Sequence, residues 1–577
     1  MLNDIDDYIK SGILLKTCHE ENGQYLLVFE DQATISLSAN QVIKADVDLD
    51  RWLTTLTLTN NQEYNIPTQG LSIDSFIKNI TVNSSGYCPL SAVIHVSLPA
   101  KGRLGVKVFS KEGANTPDQG HLYNFSDNYE QDVAVLGLYE NYKNQVELVY
   151  TDKYGNERGK TLLEIPIEPL NIKRLLNHKV VTCQLERMEP GLTFVAGRGE
   201  GDTDTSIPYM VDADGEIRWV LEWSHHPQLN HWGGRCGLMR MKNGNYVGGD
   251  QNNEQLIIVN VLGELLKSWD LKNTGVSFHH ELKEMANGNI LLAVTKADAK
   301  VADNSNSRIF DFIAELNPES GNITTLWDLT QVLDSSRITF AKRPDVYDEL
   351  QQKVDVQSHT NWCHNNGVEE MRDGSILCSA RWQGILKFTR DGELKWVIAP
   401  HNEWKEEYRK YLLTPLDRNG NPITDPDVLN GKKAHPDFDW GWGSHSPIEA
   451  PNGHILAFDN GYVRHYNFIN PEKYSRAVEY EVDEKNMTVR QVWEYGRERG
   501  RECFSVIVSS VQYLEQTGNR LFASGFGNPV TMGSGYGGHI IEIDPRTGDV
   551  IFEMEAQSNN SVGFQRAVRI PLYPESL

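Results

Sequence analysis

Four things are scarce in this chain, and each scarcity removes a class of protein. Cysteines number seven among 577 residues, at positions 18, 88, 183, 236, 363, 378 and 503. They are scattered, odd in count and never in CxxC spacing, which argues against both a disulfide framework and structural zinc. No run approaches the ~18 consecutive apolar residues of a helical membrane span. Basic residues are outnumbered, 55 against 79 acidic, for a net charge of −24. With no basic field to offset that charge, a nucleic acid or an anionic membrane is not an expected partner. A small anionic substrate stays open, because it feels local groups more than net charge. Finally, the start, MLNDIDDYIK, lacks the basic-then-apolar pattern of a secretory leader. The expected location is cytoplasmic as written, or periplasmic if a leader was removed.

What is present is a soluble, β-rich pattern with a hydrophobic share of 39%. The length exceeds what one core serves, so two or three domains are expected, or one large repeat fold with an appendage. Residues 1–75 alternate short β-type runs (QYLLVFE, QATISLS, WLTTLTLT) with turn residues, a β-rich N-terminal extension. Residues 76–175 continue with SAVIHVSLP, GRLGVKVFS, VAVLGLY and QVELVYTD, a spacing that predicts a small antiparallel sandwich. Its preferred role is structural.

From 176 to 577 the pattern becomes a long-period repeat. One half of each unit reads strand, turn, strand, at Asn243-Gly244, Asn287-Gly288, Asp373-Gly374, Asn452-Gly453 and Gly518-Asn519. The pair Asn452-Gly453 is read as a two-residue hairpin turn. The other half is a turn followed by a strand bearing an aromatic: Trp219, Trp269, Trp327, Trp396, Trp493 and Phe552. Four strands per unit at a period of roughly 50–60 residues predict propeller blades, and six aromatic closures predict six of them. The first, least regular unit is expected to be completed by strands from both ends of the domain. A sandwich pair or a parallel β-helix is the alternative, which the four-strand period disfavours.

In a propeller, residues just before the hairpins converge on one mouth of the central channel. They are His279 and His280, His364 with Asn366, and His445. The ends of the second strands return there with Lys296, Arg381 and Asp459-Asn460, the last two expected near His445. Any one histidine alone reads as a solvated loop residue; the set at equivalent repeat positions does not. Three histidines could ligate zinc, but Arg381 is a permanent cation and carboxylates are sparse there, so no metal is expected. Arg, Asn and His donors aimed at one point suit a tetrahedral oxyanion such as a sulfuryl or phosphoryl group. A neutral imidazole among them can accept that group covalently. Nearby aromatics (Trp232, Trp362, Trp382, Trp440, Trp442 and Tyr462) could stack on an aromatic substrate, though several read as ordinary core.

At WGSHSPIEAPNGHILAFDNG, NWCHNNGVEEMRDGSILCSAR and YSRAVEYEVDEKNMTVRQVWEYG the sequence resembles the bacterial arylsulfate sulfotransferases, which do not use a nucleotide sulfate donor. GYCPLSAVIHVSLPAKGRLGVKVFSKEG is similar to their N-terminal domain; residues 1–75 match less distinctly. The resemblance implies an all-β six-bladed β-propeller behind an N-terminal β-sandwich, a possible homodimer, and no cofactor. It implies sulfuryl transfer from an aryl sulfate donor to a phenolic acceptor, ping-pong, through a sulfohistidine at His445. By the same resemblance His364, Asn366, Arg381 and His280 bind the sulfuryl group. His279 is the lesser of its pair, and Ser505 stands near the family's hydroxyl residue. The disulfide that some relatives carry before the nucleophile has no counterpart in residues 400–440, a stretch read as a candidate lid. A hydrolase on the same scaffold and a non-catalytic binding platform are the competing readings.

Overall fold

Hairpins set the architecture. The computed structural model describes residues 4–48, 53–68, 73–98, 102–125, 128, 130–152, 155, 157–172, 175–198, 206–233, 238–251, 253–296, 310–339, 362–467, 472–527, 536–558 and 563–575. The turn ahead of Ile455 is a three-residue loop, Pro451-Asn452-Gly453, and not the expected two-residue one. Ala450 N donates to His454 O at 2.8 Å and Gly453 N to Ala450 O at 2.8 Å. Pro451 presets the first turn position, the Asn452 side chain accepts from His454 N at 3.1 Å, and Gly453 alone takes the left-handed φ of +88°. A type I turn closed by a glycine bulge therefore replaces the primed turn, which needs positive φ at both central residues.

The chain divides into two compact units, Met1–Asn171 with Ile217–Trp219, and Ile172–Glu216 with Val220–Ser576. In the first unit the opening residues are not a strand. Ile5–Ser11 is a helix, started by Asp4, whose side chain accepts from Asp7 N, and stopped by Gly12 at φ +86°. The expectation of β structure there overlooked this N-cap and C′ glycine pair. Two three-stranded sheets follow, Leu15–Ser38 and Val42–Pro67, sharing a core of Ile5, Tyr8, Leu27, Phe29, Leu56 and Ile66. Beyond them, a three-stranded sheet (Ile77–Val82, Ser91–Ser97, Glu130–Leu136) and a four-stranded one (Gly102–Val108, Gln119–Phe125, Tyr142–Asp152, Glu157–Ile167) are joined where Tyr123 Oη donates to Ala134 O at 2.6 Å.

The second unit is built of antiparallel sheets in chain order. Leu192–Arg198 pairs with Pro208–Val211 on one side and with Gly563–Ile570, from the far end of the chain, on the other. Four-stranded sheets follow over Leu238–Asp270, Val276–Asp328 and Asn365–Ile398. The next sheet runs from His445–Glu449 through Ile455–Asp459 and Arg476–Asp483 to Thr488–Tyr495, with Thr414–Leu416 added in parallel at the outer edge. The last runs from Ser510–Tyr513 to Val550–Ser558 and gains Asn177–Cys183 from the start of the unit. The strands bearing Trp269, Trp327, Trp396 and Trp493 are each the fourth from the innermost of their sheet. Innermost strands of successive sheets touch one another: Val276–Glu284 meets Asn365–Glu370, which meets His445–Glu449, which meets Ser510–Tyr513.

Residues 400–440 are anchored. Leu413, Ile423, Val428, Phe438 and Trp440 are buried in one cluster with Tyr480 and Val489, and Trp440 Nε1 donates to Val428 O at 2.8 Å. The stretch read as a candidate lid is thus packed at these five positions into the cluster shared with Tyr480 and Val489. Below it lies a buried ion network. Asp459 binds Arg464 and Arg476 at 2.8 Å each, and Arg464 also binds Asp439 at 2.8 Å. The six described cysteines are free thiols; Cys236 lies outside the described residues.

Candidate functional site

The innermost strands share one irregularity. In three successive sheets the register slips between Phe278 and Leu282, between Asn365 and Gly367, and between His445 and Ile448. At or beside each slip a non-glycine residue takes left-handed φ: His280 (+59°), His364 (+54°) and Ser446 (+48°). Ahead of the fourth strand, Val508 (+54°) and Ser509 (+83°) do the same. Such conformations cost on the order of 1–3 kcal/mol each and persist where the surroundings over-determine them; for a β-branched valine this one is rare. A bulge re-aims side chains off the alternating pattern of a strand. Here it turns histidines from separate sheets toward one another.

His445, only 2% exposed, is held at both ring nitrogens. Its Nδ1 lies 2.7 Å from Asn460 Oδ1 and 3.2 Å from Gly443 O. Asn460 can present only its oxygen there, because its Nδ2 donates to Ser505 O at 2.8 Å and Val508 O at 3.2 Å. Two acceptors therefore face Nδ1, which must carry the proton, leaving the lone pair on Nε2. That nitrogen accepts from Asn366 Nδ2 at 3.0 Å and faces Val508 N at 3.3 Å. Asn366 is oriented in turn by Ser379, whose hydroxyl donates to Asn366 Oδ1 at 2.6 Å. Gly367 permits this approach: a Cβ there would stand 2.6 Å from both Pro447 Cδ and Ser379 Oγ.

His280 and His364 lie edge to face with ring centroids 4.8 Å apart. Both are held well below the ordinary histidine value, first by burial. For His280 the charge that His364, His279 or His445 would carry on protonation, and that of Arg381, add to this; for His364 it is the charge of Arg381, then that of protonated His445 or His279. Both rings are therefore neutral near pH 7. The Arg381 guanidinium is clasped by Trp382 (4.7 Å) and Tyr462 (4.4 Å), and its Nη2 donates to Val506 O at 3.1 Å. Its backbone N donates to His364 O at 3.1 Å, tying the arginine to the histidine loop. Of the aromatics considered for stacking, Trp382 and Tyr462 stand here; Trp232 packs on Trp223, and Trp362 and Trp440 are fully buried.

Two site expectations land differently. His279 sits behind His280, its Nδ1 3.0 Å from His280 Nδ1 and its Nε2 3.3 Å from Asp311 Oδ1. The Ser505 hydroxyl is fully buried inside the 505–509 turn, donating to Ile507 O and accepting from Phe526 N at 2.9 Å each. It reaches the nucleophile candidate only through its carbonyl, which holds Asn460. A cavity of about 320 Å³ opens beside the rings, lined by His279, His280, His364, Asp311, Glu254 and Gln251 among others. Away from it, Glu502, His539 and Glu553 bring ligand atoms within 4.8 Å of one another, but Arg499 bridges both carboxylates with its own donors.

With this geometry described, the relatives can be compared. The model for the arylsulfotransferase (ASST) family matches residues 177–565, and that for the arylsulfotransferase Ig-like domain matches 79–165. The chain belongs to the arylsulfotransferase family. Two relatives named arylsulfate sulfotransferase AssT align over 83% of this chain and 90% of their own length. One, from Escherichia coli O6:H1 (strain CFT073), is 32% identical over 561 residues; the other, from Lelliottia amnigena, is 27% identical over 548. Among solved structures, a streptogramin B lyase covers 67% of this chain at 10% identity and a TM-score of 0.29, too slight a likeness to carry an argument.

The arylsulfotransferase site also contains groups that sequence reasoning did not carry into it. Asn460 was expected near His445 by the hairpin but was given no role. Ser379, Asp311 and the Val508 amide leave no motif: Ser379 acts from the strand next to Asn366, Asp311 from a neighbouring sheet and Val508 from a loop.

Proposed function

We propose that this arylsulfotransferase moves a sulfuryl group from an aryl sulfate to a phenol in two steps, with His445 as the covalent carrier. The observation that carries the reading is the Asn460 lock, which commits the proton to Nδ1 and leaves the Nε2 lone pair facing Asn366 and Val508. A lone pair held this way, with Arg381, His280 and His364 close by, suits in-line attack on sulfur. The guanidinium and the Asn366 amide hold the sulfate oxygens, and the two histidines gain protons as the anion enters. In the first step the N–S bond forms and the aryl O–S bond breaks, and the phenol leaves. In the second a phenol oxygen takes the group back from sulfo-His445, which returns to its starting form.

The scaffold we read for this is a six-bladed β-propeller, supported by the ordered sequence of sheets and by the pairing of the first and last strands of the unit. The sandwich and the N-terminal extension serve as its structural appendage, and homodimer assembly, implied by resemblance alone, is checked by sedimentation. The decisive experiment offers donor without acceptor. Wild type should release one phenol per site in a burst and gain the mass of one sulfuryl group, and the His445→Asn variant should do neither. Transfer at the wild-type rate by that variant sinks the assignment; steady release without acceptor points to a hydrolase.

A further inference from the structure

Behind His280 stands a buried carboxylate that the transfer scheme above leaves unused. Asp311 is 1% exposed and begins the third strand of its sheet. One of its oxygens, Oδ2, accepts from the Asn365 amide at 3.2 Å, on the strand that carries Asn366. The other, Oδ1, lies 3.3 Å from His279 Nε2. His279 is 6% exposed, and its Nε2 has no aligned hydrogen bond among the described residues: the carboxylate is within ion-pair range but off the N–H axis. On the opposite edge of that ring, Nδ1 is 3.0 Å from His280 Nδ1. The rings of His279 and His280 stand nearly perpendicular, 81° apart with centroids at 5.0 Å. The line Asp311–His279–His280 thus runs along one wall of the cavity, which all three residues line together with His364.

A buried carboxylate is costly unless a partner offsets it, and the ion-pair partner it has among the described residues is a histidine that is itself in contact with a second one. The proton positions follow. With a carboxylate 3.3 Å from its Nε2, His279 is assigned its proton on that side, which leaves Nδ1 to accept the Nδ1–H of His280 at 3.0 Å. The remaining nitrogen of His280, Nε2, then faces away from the relay. Burial first, then competition with protonation of His364, His279 and His445 and the charge of Arg381, resists a second proton on that ring. A bound sulfate ester supplies the negative charge that counters this. The carboxylate two rings away stabilises the resulting imidazolium from behind, and hydrogen bonds that are loose in an empty site tighten once charge arrives.

We infer that Asp311 and His279 are positioning residues that let His280 hold and deliver the proton for the phenol oxygen in both half-reactions. The inference rests on the two-step reading. In the first half the His445 Nε2–S bond forms, the aryl O–S bond breaks, and the departing oxygen takes the Nε2 proton of His280, leaving as neutral phenol. In the second the acceptor phenol gives its proton to His280 Nε2 as its oxygen bonds sulfur and the N–S bond breaks. The proton that His280 takes from solvent as the sulfate ester binds is given back when the product ester departs, so the cycle balances and both histidines end neutral.

The test is how the burst depends on the leaving group. 4-Nitrophenyl sulfate releases a stabilised phenolate that needs no proton; phenyl sulfate releases a basic one that does. Burst rates with each donor, without acceptor, are compared for wild type, Asp311→Asn and His279→Gln, with thermal melts run in parallel. Proton delivery by a positioned group is worth roughly 10²–10⁴-fold. Each variant should therefore lose on the order of 100-fold on phenyl sulfate and less than about fivefold on 4-nitrophenyl sulfate. Equal losses on both donors, or none on either, overturn the relay. Should one variant fail to fold, the other carries the comparison, and wild type must itself show a shallow dependence on phenol acidity. A steep wild-type dependence also refutes the inference without any variant. A wild type that shows neither burst nor added mass rejects the two-step reading instead.

Discussion

Replacing Asn460 with alanine is the most searching perturbation of His445, the proposed nucleophile, because it leaves every charged group in place. The side chain is fully buried and makes three contacts that matter: one with His445 Nδ1 at 2.7 Å and donations to two carbonyls at 2.8 and 3.2 Å. Alanine strands the Val508 carbonyl and weakens the tie on Ser505 O, which keeps a 3.3 Å donation from Ser475. An orphaned buried acceptor costs about 1–3 kcal/mol and a lost hydrogen bond about 1, so stability should fall by about 2–4 kcal/mol. The catalytic effect is separate. With Asn460 gone, Nδ1 keeps only the longer contact to Gly443 O, and the ring is free to tilt or to exchange tautomers. Losing the group that orients a reacting imidazole costs about 10²–10⁴-fold. The assay is the donor-only burst of 4-nitrophenolate, read beside a urea titration at a temperature where the variant is folded. Folded Asn460→Ala bursting within about threefold of wild type would refute the tautomer argument, since far more than that is required of a lock. The Asn460→Asp variant separates the two effects: it keeps an acceptor for Nδ1 but sets a carboxylate against two carbonyls. It should therefore be the less stable protein and, while folded, the more active one.

Other outcomes follow from the same geometry. His280 and His364 are neutral in the folded site, whereas the unfolded chain takes up protons below the ordinary value of 6.5. Stability is then full above 6.5 and falls as the pH drops through it, by up to about 1.4 kcal/mol per histidine per unit. Melting curves between pH 7 and 5.5 should decline less steeply for a His280→Gln/His364→Gln double variant, and added sulfate should raise the wild-type Tm more at the lower pH. Gly367→Ala sets a methyl against Ser379 Oγ and Pro447; it should cost about 1–3 kcal/mol and, by shifting Asn366, about 10²-fold in burst rate. Arg476→Leu leaves Asp459 and Glu494 short of their buried partner, and chemical denaturation should show a loss of about 3–5 kcal/mol. A loss below 1 kcal/mol would mean the network relaxes around the gap.

Much of the fold was legible because its signals are local. Turn glycines and alternating apolar runs mark each hairpin, and the strands bearing Trp269, Trp327, Trp396 and Trp493 mark the fourth position of their sheets. The turn type at Asn452-Gly453 was misread because Pro451 and the Asn452 side chain together favour a type I turn. Ile5–Ser11 was missed because its caps, Asp4 and Gly12, sit in a stretch too short to show helical period. In the site, histidines and Arg381 were legible as chemistry-bearing residues at equivalent repeat positions. Ser505 was given a role toward substrate because a hydroxyl in sequence does not reveal which way it turns; here it is spent on Phe526 N and Ile507 O. Asp311 and Ser379 were illegible because a strand's buried polar residue looks alike whether it meets solvent, backbone or a catalytic ring.

The pairing of the unit's earliest and latest strands has a consequence for biosynthesis. Asn177–Cys183 pairs with Val550–Ser558, and Leu192–Arg198 with Gly563–Ile570, so these two early strands lack a partner until a stretch more than 350 residues downstream has been made. The Asn460 lock needs the carbonyls of Ser505 and Val508, and the latter's turn is fastened by Ser509 N to Gln565 O at 3.0 Å. A chain cut before Gln565 would keep the histidines but lose this fastening of the Val508 turn, and on the proposed mechanism its donor burst should be absent.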